Sequence, residues 1–368
     1  MPMKPVPLLM VSALVLVLLF GFLGRTNQDA NPDSHANEPQ QADVRQERSN
    51  IHNNDGQAHK TASPFQQQGI QEAIRGVAKN YAAQSRFPAS SMPIPDEASL
   101  QKYIPNQAAG ASLPYEGPNG DAWRFGLRTD HYRYFKGDGI QFYVTLTGGS
   151  EIPSANVRVL LVSNKRVIHE VAAGPLVAGS FQAGLDTQQV NTRSWPNELH
   201  VQAIADVAGQ TLQVIETIRF EESIADVKSV GHGDVEGENL VIPVTLDTQA
   251  EGYFRVTAVL FSATTQKPLV HLEGKARLNV NNDTVSLKAH ADALQVSGDE
   301  GPYQLQHVYV EKMPGPPDYA SAYGKSSDAV YPIAAQSFEQ YADVRHEDPS
   351  AQRSLEFLNK MGGTQTQP

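Results

Sequence analysis

Apolar and polar residues alternate along much of the chain between residues 123 and 310, as they do in half-buried β-strands. The clearest example is Tyr253–Leu260, whose sequence is YFRVTAVL. Clusters of turn-forming residues, such as Asn279–Asp283, separate the segments. The other strands predicted in this region are Leu269–Leu272, Thr284–Ala289 and Leu305–Val310. Short strands separated by such turn-forming clusters indicate an all-β sandwich rather than alternating β-strands and helices.

A second group of predicted strands precedes this one. Its span of about 100 residues is the size of an immunoglobulin-like sandwich. Trp123 and Trp195 are expected to be partly buried packing residues, and Asp206–Gln210 is expected to form a hairpin turn. Besides the strand near Trp123, the predicted strands are His131–Phe135, Ile140–Leu146, Ala155–Ser163, Arg166–Val171, Gly179–Leu185, Leu199–Val207 and Thr211–Phe220.

Two helical or extended segments are predicted before the strands. In Gln66–Gln84, apolar residues recur at helical spacing, and prolines bracket the segment. This amphipathic helix either packs on the downstream domain or serves as a coiled-coil or partner helix. The proline-rich Arg86–Asn106 is expected to run in extended form along a domain surface.

The C-terminal tail begins where Pro314–Pro317 ends the sheet. Tyr331–Val344 and Ser350–Met361 are predicted as short helices, the second starting at Asp348-Pro349. Tail tyrosines either dock the tail onto a sandwich or form a binding strip. These residues are Tyr319, Tyr323, Tyr331 and Tyr341.

The first 25 residues are predicted to anchor the chain in a membrane. Pro5–Gly24 is uncharged and apolar, and about 20 such residues cross the hydrocarbon core as a helix. The alternative is a cleaved signal peptide, after which the protein is secreted. Lys4 favours a cytoplasmic N-terminus, which places the rest of the chain in the periplasm. The polar segment Thr26–Ser63 is predicted to be a disordered tether, and its histidines are expected to be solvated.

The predicted fold is therefore mainly β, with two antiparallel immunoglobulin-like sandwiches in series. A short connection, with Ile224–Val230 as the first strand of the second sandwich, would make the pair semi-rigid. The predicted segments are the anchor at 1–25, the linker at 26–63, a helix with a proline-rich stretch at 64–120, sandwiches at 121–222 and 223–313, and a tail at 314–368.

Composition narrows the classes of partner and chemistry. The formal net charge of −11 and the pI near 5.5 argue against a nucleic-acid partner, because phosphates repel an acidic chain that lacks a basic patch. The chain contains no cysteine, which excludes disulfides, cysteine-based zinc sites, a thiol nucleophile and a lipidated-cysteine anchor.

No catalytic, cofactor-binding or metal-binding residues are predicted. The sequence holds no Gly-x-Ser-x-Gly elbow, no His-Glu-x-x-His and no phosphate-binding glycine loop. Turn acids could hold calcium but are expected to serve the turns. The histidines in strand-like segments are expected to be ordinary sheet residues, and a His232–Asp234 site is disfavoured. The acids are Asp283, Asp292, Asp299 and Glu300, and the strand histidines are His169, His200, His271, His290 and His307.

Two stretches resemble modules of exported bacterial proteins. The sequence YFKGDGIQFYVTL, followed by SANVRVLLV, is similar to immunoglobulin-like modules of secreted and surface proteins. The second stretch, from Gly252 to Val310, resembles a β-sandwich appended to many exported proteins, with a terminal GPYQL strand. The resemblance implies an accessory or binding role.

The sequence therefore predicts a non-enzymatic protein, anchored in the bacterial inner membrane and facing the periplasm, that presents two immunoglobulin-like modules to an envelope protein or glycan. The alternatives are a subunit of an export or pilus apparatus and a hydrolase of envelope polymers, which would need two facing carboxylates about 5–9.5 Å apart.

Overall fold

A computed structural model describes residues 68–117, 120–148, 155–248, 250–316 and 319–363. The predicted anchor and the whole tether, with its histidines, lie outside these residues. The described chain is mainly β and contains several sheets. It opens with helix α1 (Gln68–Gln84), strand β1 (Ser91–Pro93) and the short helix α2 (Glu97–Leu100).

The first β unit comprises nine strands joined side by side in the order β2-β3-β5-β8-β7-β6-β9-β10-β4. All neighbours are antiparallel except β10 and β4. The strands are β2 (Gly110–Glu116), β3 (Ala122–Thr129), β4 (Arg133–Phe135), β5 (Gly139–Gly148), β6 (Asn156–Ser163), β7 (Arg166–Val177), β8 (Ser180–Asp186), β9 (Glu198–Val207) and β10 (Gln210–Glu221).

Strand β7 folds this ribbon of strands around one core. Its first part pairs with β6 and its last part with β8, so it passes from one layer to the other. Alternate residues of both layers, including Phe125, Phe142 and Val159, meet in a single buried cluster. Trp123 and Trp195 belong to this cluster, which confirms that they pack, and they are more deeply buried than predicted. Strand β2 was not predicted from the sequence.

The second β unit consists of two sheets that share a second core. One sheet holds β13 flanked by β11, β12 and β16, and the other holds β14 between β15 and β17. Inward residues of both sheets, such as Ile242 and Phe254, are fully buried in one cluster. The strands are β11 (Asp226–Val230), β12 (Asp234–Glu236), β13 (Asn239–Asp247), β14 (Gly252–Ser262), β15 (Pro268–Leu278), β16 (Thr284–His290) and β17 (Tyr303–Lys312). Helix α3 (Ala291–Gln295) follows β16.

The proline-rich segment lies on the second unit, although it precedes the first in sequence. Strand β1 pairs with β15, and Ile94 and Leu100 pack with Val259 and Phe261 on the outer side of the β14 sheet. Part of the expected extended path is thus confirmed, but α2 interrupts it with a helical turn that begins at Asp96, whose side chain caps the helix.

The tail returns to the β14 sheet and adds two strands to β17, namely β18 (Ala322–Gly324) and β19 (Val330–Ile333). The helix predicted over Tyr331–Val344 is therefore wrong. Tyr331 and Ile333 alternate inward from β19 as strand residues do, and only Phe338–Gln340 forms a turn of 3-10 helix.

The second predicted tail helix is confirmed as α4 (Pro349–Met361). The Asp348 carboxylate accepts hydrogen bonds from the backbone N–H groups of Ser350 and Ala351, at 2.8 and 3.1 Å. Helix α4 contacts α1, and Arg75 donates to the carbonyl of Gly362 at 3.3 Å. The amphipathic helix thus pairs with a helix of its own chain. Among the described residues, no helix is long and apolar enough to span a membrane.

Candidate functional site

An open cleft of about 700 Å³ lies at one end of the first β unit. Polar side chains and one tryptophan form most of its lining: Ser163, Asn164, Arg166, Asn191, Ser194 and Trp195. Ile168 and Pro196 complete it. We call this cavity the end cleft.

One wall of the end cleft is the tight hairpin turn between β6 and β7. Asn164 and Lys165 occupy it with φ values of 48° and 62°, the left-handed conformation that a two-residue hairpin turn requires at both central positions. Asparagine tolerates this region better than most residues. Asn164 therefore both suits the turn and supplies a polar side chain to this wall of the cleft. The turn fixes Asn164 and Arg166 at the mouth of the cleft.

The other wall is the loop between β8 and β9. Asp186 begins it by capping a 3-10 turn, accepting from the backbone N–H of Gln188 at 3.0 Å. Trp195 ends it, packing its ring against Phe220 at 5.5 Å between centroids and against His169 at 6.1 Å. Because Trp195 anchors the loop in the core, the polar residues before it are held at the rim.

The charge of the end cleft differs from that of the chain as a whole. Arg166 lines it, and no aspartate or glutamate does. Within the described segments, the Arg166 guanidinium forms no ion pair, and neither do Lys165 and Arg193, which adjoin lining residues in sequence. A chain with a net charge of −11 therefore presents at this cavity a cation that has no ion-pair partner among the described residues.

A second, smaller cavity of about 290 Å³ lies where the two units meet. We call it the junction cavity. The segment 101–108 lines it together with Asp130, His131 and His307. Asp130 accepts a hydrogen bond from the Tyr134 hydroxyl, and the Nδ1 atom of His131 lies 3.2 Å from the other carboxylate oxygen of Asp130.

These contacts shift the pKa values of the groups in opposite directions. The hydrogen bond with Asp130 raises the pKa of His131 above 6.5, although burial opposes the shift. Burial also opposes the shift at Asp130, but hydrogen bonds from His131 and Tyr134 lower the pKa of its carboxyl group. Burial lowers the pKa of His307.

Beside the junction cavity, Arg133 connects the two units. Its Nη1 atom lies 2.5 Å from a carboxylate oxygen of Glu221, and its guanidinium stacks 3.6 Å from the ring centroid of Tyr323 in the second unit. Arg219 pairs with the other oxygen of Glu221 at 2.9 Å. The Arg133 and Glu221 side chains are only 10% and 13% exposed, so the pair is shielded from water.

Backbone hydrogen bonds hold the short connecting segment to the second unit. Only four residues separate β10 from β11. Ile224 donates to the carbonyl of Tyr323 at 3.0 Å, and Lys325 donates to Ala225 at 2.9 Å. The strand predicted at Ile224–Val230 is confirmed as β11, and the connection between the units is short.

The acidic residues considered as calcium ligands do not come together. Asp283 and Asp299 accept hydrogen bonds from neighbouring residues in turns, and Glu300 accepts from the backbone N–H of Phe338 in the tail. Asp292 lies 3.8 Å from His290. No group of three or more His, Asp or Glu side chains suited to a metal occurs in the described part of the chain. His232 and Asp234 are both exposed, with no hydrogen bond joining their side chains.

The strand histidines occupy separate environments. His200 contacts Thr217 at 3.1 Å, and His271 stacks on Tyr103 at 4.5 Å. His290 caps α3 by accepting from the Asp292 N–H at 3.1 Å. His169 packs against Trp195, which lines the end cleft, and His307 itself lines the junction cavity.

The tail tyrosines dock the tail for the most part. Tyr331 and Tyr341 are buried in the second core, and Tyr323 lies under Arg133. Tyr319 is 70% exposed. They do not form one binding strip, because each of the docked rings has a different neighbour.

Comparisons with known proteins show no family. No protein-family model matches the chain, and no curated protein matches it. Among solved structures, it is similar to a DUF4785 family protein from Legionella pneumophila, with 14% identity, a TM-score of 0.34, and 51% of this chain and 52% of that one covered. A tetra-tandem repeat from the extending region of a large adhesion protein gives 12% identity, a TM-score of 0.21 and coverage of 62% and 57%.

Titin domains A168–A170 give 10% identity, a TM-score of 0.20, and coverage of 63% of this chain and 89% of theirs. The chain thus spans little more than half the length of the first two proteins. At these scores the likeness carries no functional information, and function is inferred from the chain's own residues.

Proposed function

We propose that the chain is a non-catalytic binding protein of the bacterial cell envelope. In this proposal an N-terminal membrane anchor and tether hold two immunoglobulin-like sandwiches in the periplasm, where they present their loops to an envelope protein or glycan. The anchor rests on the apolar segment Pro5–Gly24.

The observation that carries the proposal is the fixed junction between the units. Arg133 is held by an ion pair within the first unit and by the Tyr323 ring of the second, and backbone hydrogen bonds hold the short connecting segment to the second unit. A fixed junction holds binding loops of both units in one relative geometry, which lowers the ordering cost of binding. An enzyme gains less from such spacing unless its site lies between the units.

The cavities lend no support to the hydrolase alternative. The end cleft has no carboxylate in its lining, and the junction cavity has Asp130 alone. Hydrolysis of a glycosidic bond by the usual mechanism requires two carboxyl groups across the substrate. Helix α1 contacts α4 of the same chain. No observation on the described residues specifically favours the alternative of a subunit in an export or pilus apparatus.

The test uses the full-length chain expressed in a bacterium. We expect it to resist carbonate extraction from membranes and to become protease-sensitive when the outer membrane is opened. Chemical crosslinking in intact cells should then trap one reproducible envelope protein, or the chain should be retained on isolated cell wall. A protease-protected cytoplasmic chain, or one that is neither crosslinked nor retained, would contradict the proposal.

A further inference from the structure

The end cleft has the size and the polar groups of a binding site. Its volume of about 700 Å³ lies within the roughly 300–1,000 Å³ that is usual for small-molecule sites. Asn164, Asn191, Ser163 and Ser194 offer amide and hydroxyl groups that both donate and accept hydrogen bonds. Such a set matches a ligand rich in hydroxyl groups.

Arg166 favours a ligand that carries a negative charge. Its guanidinium has no partner in the described segments and no carboxylate beside it in the lining. Arginine binds carboxylates with two parallel hydrogen bonds, a geometry that a lysine or an amide cannot provide. A carboxylate brought by a ligand would therefore fill a place that the protein leaves open.

The strands bordering the cleft disfavour a peptide. Strand β6 pairs with β7 on one side and β9 on the other, and β7 pairs with β6 and then β8. No free strand edge adjoins Arg166 on β6 or on the paired parts of β7, so an extended peptide finds few backbone partners there. A ligand recognised through its own hydroxyl and carboxylate groups fits better.

We propose that the end cleft binds an acidic oligosaccharide, with Arg166 pairing with a sugar carboxylate and the Asn164, Asn191 and Ser194 side chains hydrogen-bonding its hydroxyls. The assignment rests on the proposed binding function and names its ligand class and its site. The left-handed turn at Asn164-Lys165 and the anchored Trp195 hold these groups in place before the ligand arrives.

The experiment is calorimetric titration of the full-length protein with a uronic acid trisaccharide, such as trigalacturonate, and with its fully methyl-esterified neutral form. We expect the acid to bind, the ester to bind at least about tenfold more weakly, and the affinity to fall as salt is raised, because a charged hydrogen bond contributes roughly tenfold or more.

Variants locate the site. Arg166→Gln should weaken binding of the acid about tenfold or more and leave the weak binding of the ester unchanged. Asn164→Gly should weaken both severalfold, since glycine accepts the left-handed turn while removing the amide. Arg158→Gln on the same hairpin is the matched control, because Arg158 already pairs with Glu170 and does not line the cleft. All three should unfold at the wild-type temperature.

Equal affinity for acid and ester, or wild-type binding by Arg166→Gln, would overturn the assignment. Tighter binding of a hexaglutamate peptide that depends on Arg166 would replace the glycan with an acidic protein segment. An absence of binding by the trisaccharide, alongside a crosslinked envelope partner in cells, would overturn the ligand class and leave the proposed function standing.

Discussion

The two β units are built from the chain in different ways. The first unit uses nine strands that follow one another from Gly110 to Glu221. The second is extended by β1 from before the first unit and by β18 and β19 from the tail. One unit is therefore made from local sequence, whereas the other is completed by segments from both ends of the described chain. The stability of the second unit should therefore depend strongly on these docked segments, whereas the first unit contacts them mainly through Arg133 and Tyr323.

The largest expected effects compare the two cores directly. Phe142 and Phe254 are both fully buried, one in each unit. Replacing either with alanine should lower the free energy of unfolding by about 3–5 kcal/mol, because each leaves a cavity. Urea unfolding followed by limited proteolysis should show that Phe254→Ala frees the tail and that Phe142→Ala does not. Equal release of the tail by both would show that the units unfold as one.

The docking of β19 offers the next test. The Tyr331 side chain points from β19 into the second core, and its hydroxyl lies 2.6 Å from the Ser326 hydroxyl. Tyr331→Ala should cost about 2–4 kcal/mol. Tyr331→Phe, which keeps the ring and loses the hydrogen bond, should cost about 0.5–1.5 kcal/mol. If urea unfolding shows that Tyr331→Ala lowers the free energy of unfolding no more than Tyr331→Phe does, the Tyr331 ring contributes nothing to the second core.

The junction is the third test, since it joins the units. Arg133→Gln removes the cation between Glu221 and Tyr323 and should destabilise the chain by about 2–3 kcal/mol, somewhat less than a fully broken buried pair because Arg219 still neutralises Glu221. Arg219→Gln, at a third-exposed side chain, should cost at most about 1 kcal/mol.

Small-angle scattering should show a broader distribution of shapes for Arg133→Gln than for Arg219→Gln. Identical scattering from the two variants would mean that Arg133 does not fix the junction.

The smallest expected effect is a difference in pH dependence between the units. The pKa of His131 is raised by its hydrogen bond with Asp130, so its stabilisation is complete below the ordinary value of 6.5 and is lost as pH rises through the raised pKa. The pKa of His271 is lowered by burial, so its favourable state persists above 6.5 and is lost as pH falls through the lowered pKa.

Melting temperatures at pH 5.5 and pH 8 test these opposite signs. His131→Asn should lower the melting temperature more at pH 5.5 than at pH 8. For His271→Asn, the melting temperature relative to wild type should rise as the pH falls from 8 to 5.5. A same-signed pH dependence for both variants would contradict the assigned environments.

The difference between long core strands and short docked or exposed strands explains which strands the sequence could predict. Strands with long alternation, such as β5 and β14, are visible because one face of each is buried against a core over its whole length. Val330–Ile333 offers only two inward residues, too few to separate a strand from a helix. Its partner β17 ends at Lys312, too far back for a short hairpin loop to indicate the pairing. Strand β2 alternates weakly because most of its residues stay exposed.

The end cleft was hidden for a related reason. Its residues come from a hairpin turn and a loop, and polar turn residues look alike whether they face solvent or a cavity. The one signal available was Trp195, an isolated large aromatic in a polar loop, which was correctly predicted to pack but not to anchor a wall. Burial can be inferred from sequence pattern, whereas the meeting of two loops cannot.

The pairing of α1 with α4 has a consequence for chain connectivity. Gly363 lies close to Gln71, one turn from the start of α1 at Gln68, so the described ends of the chain lie side by side. A linker of a few glycines should join them and allow new ends to be opened at the exposed turn Asn281-Asn282. Such a circular permutant would retain both cores, because ends that meet in space make the order of the elements along the chain largely immaterial.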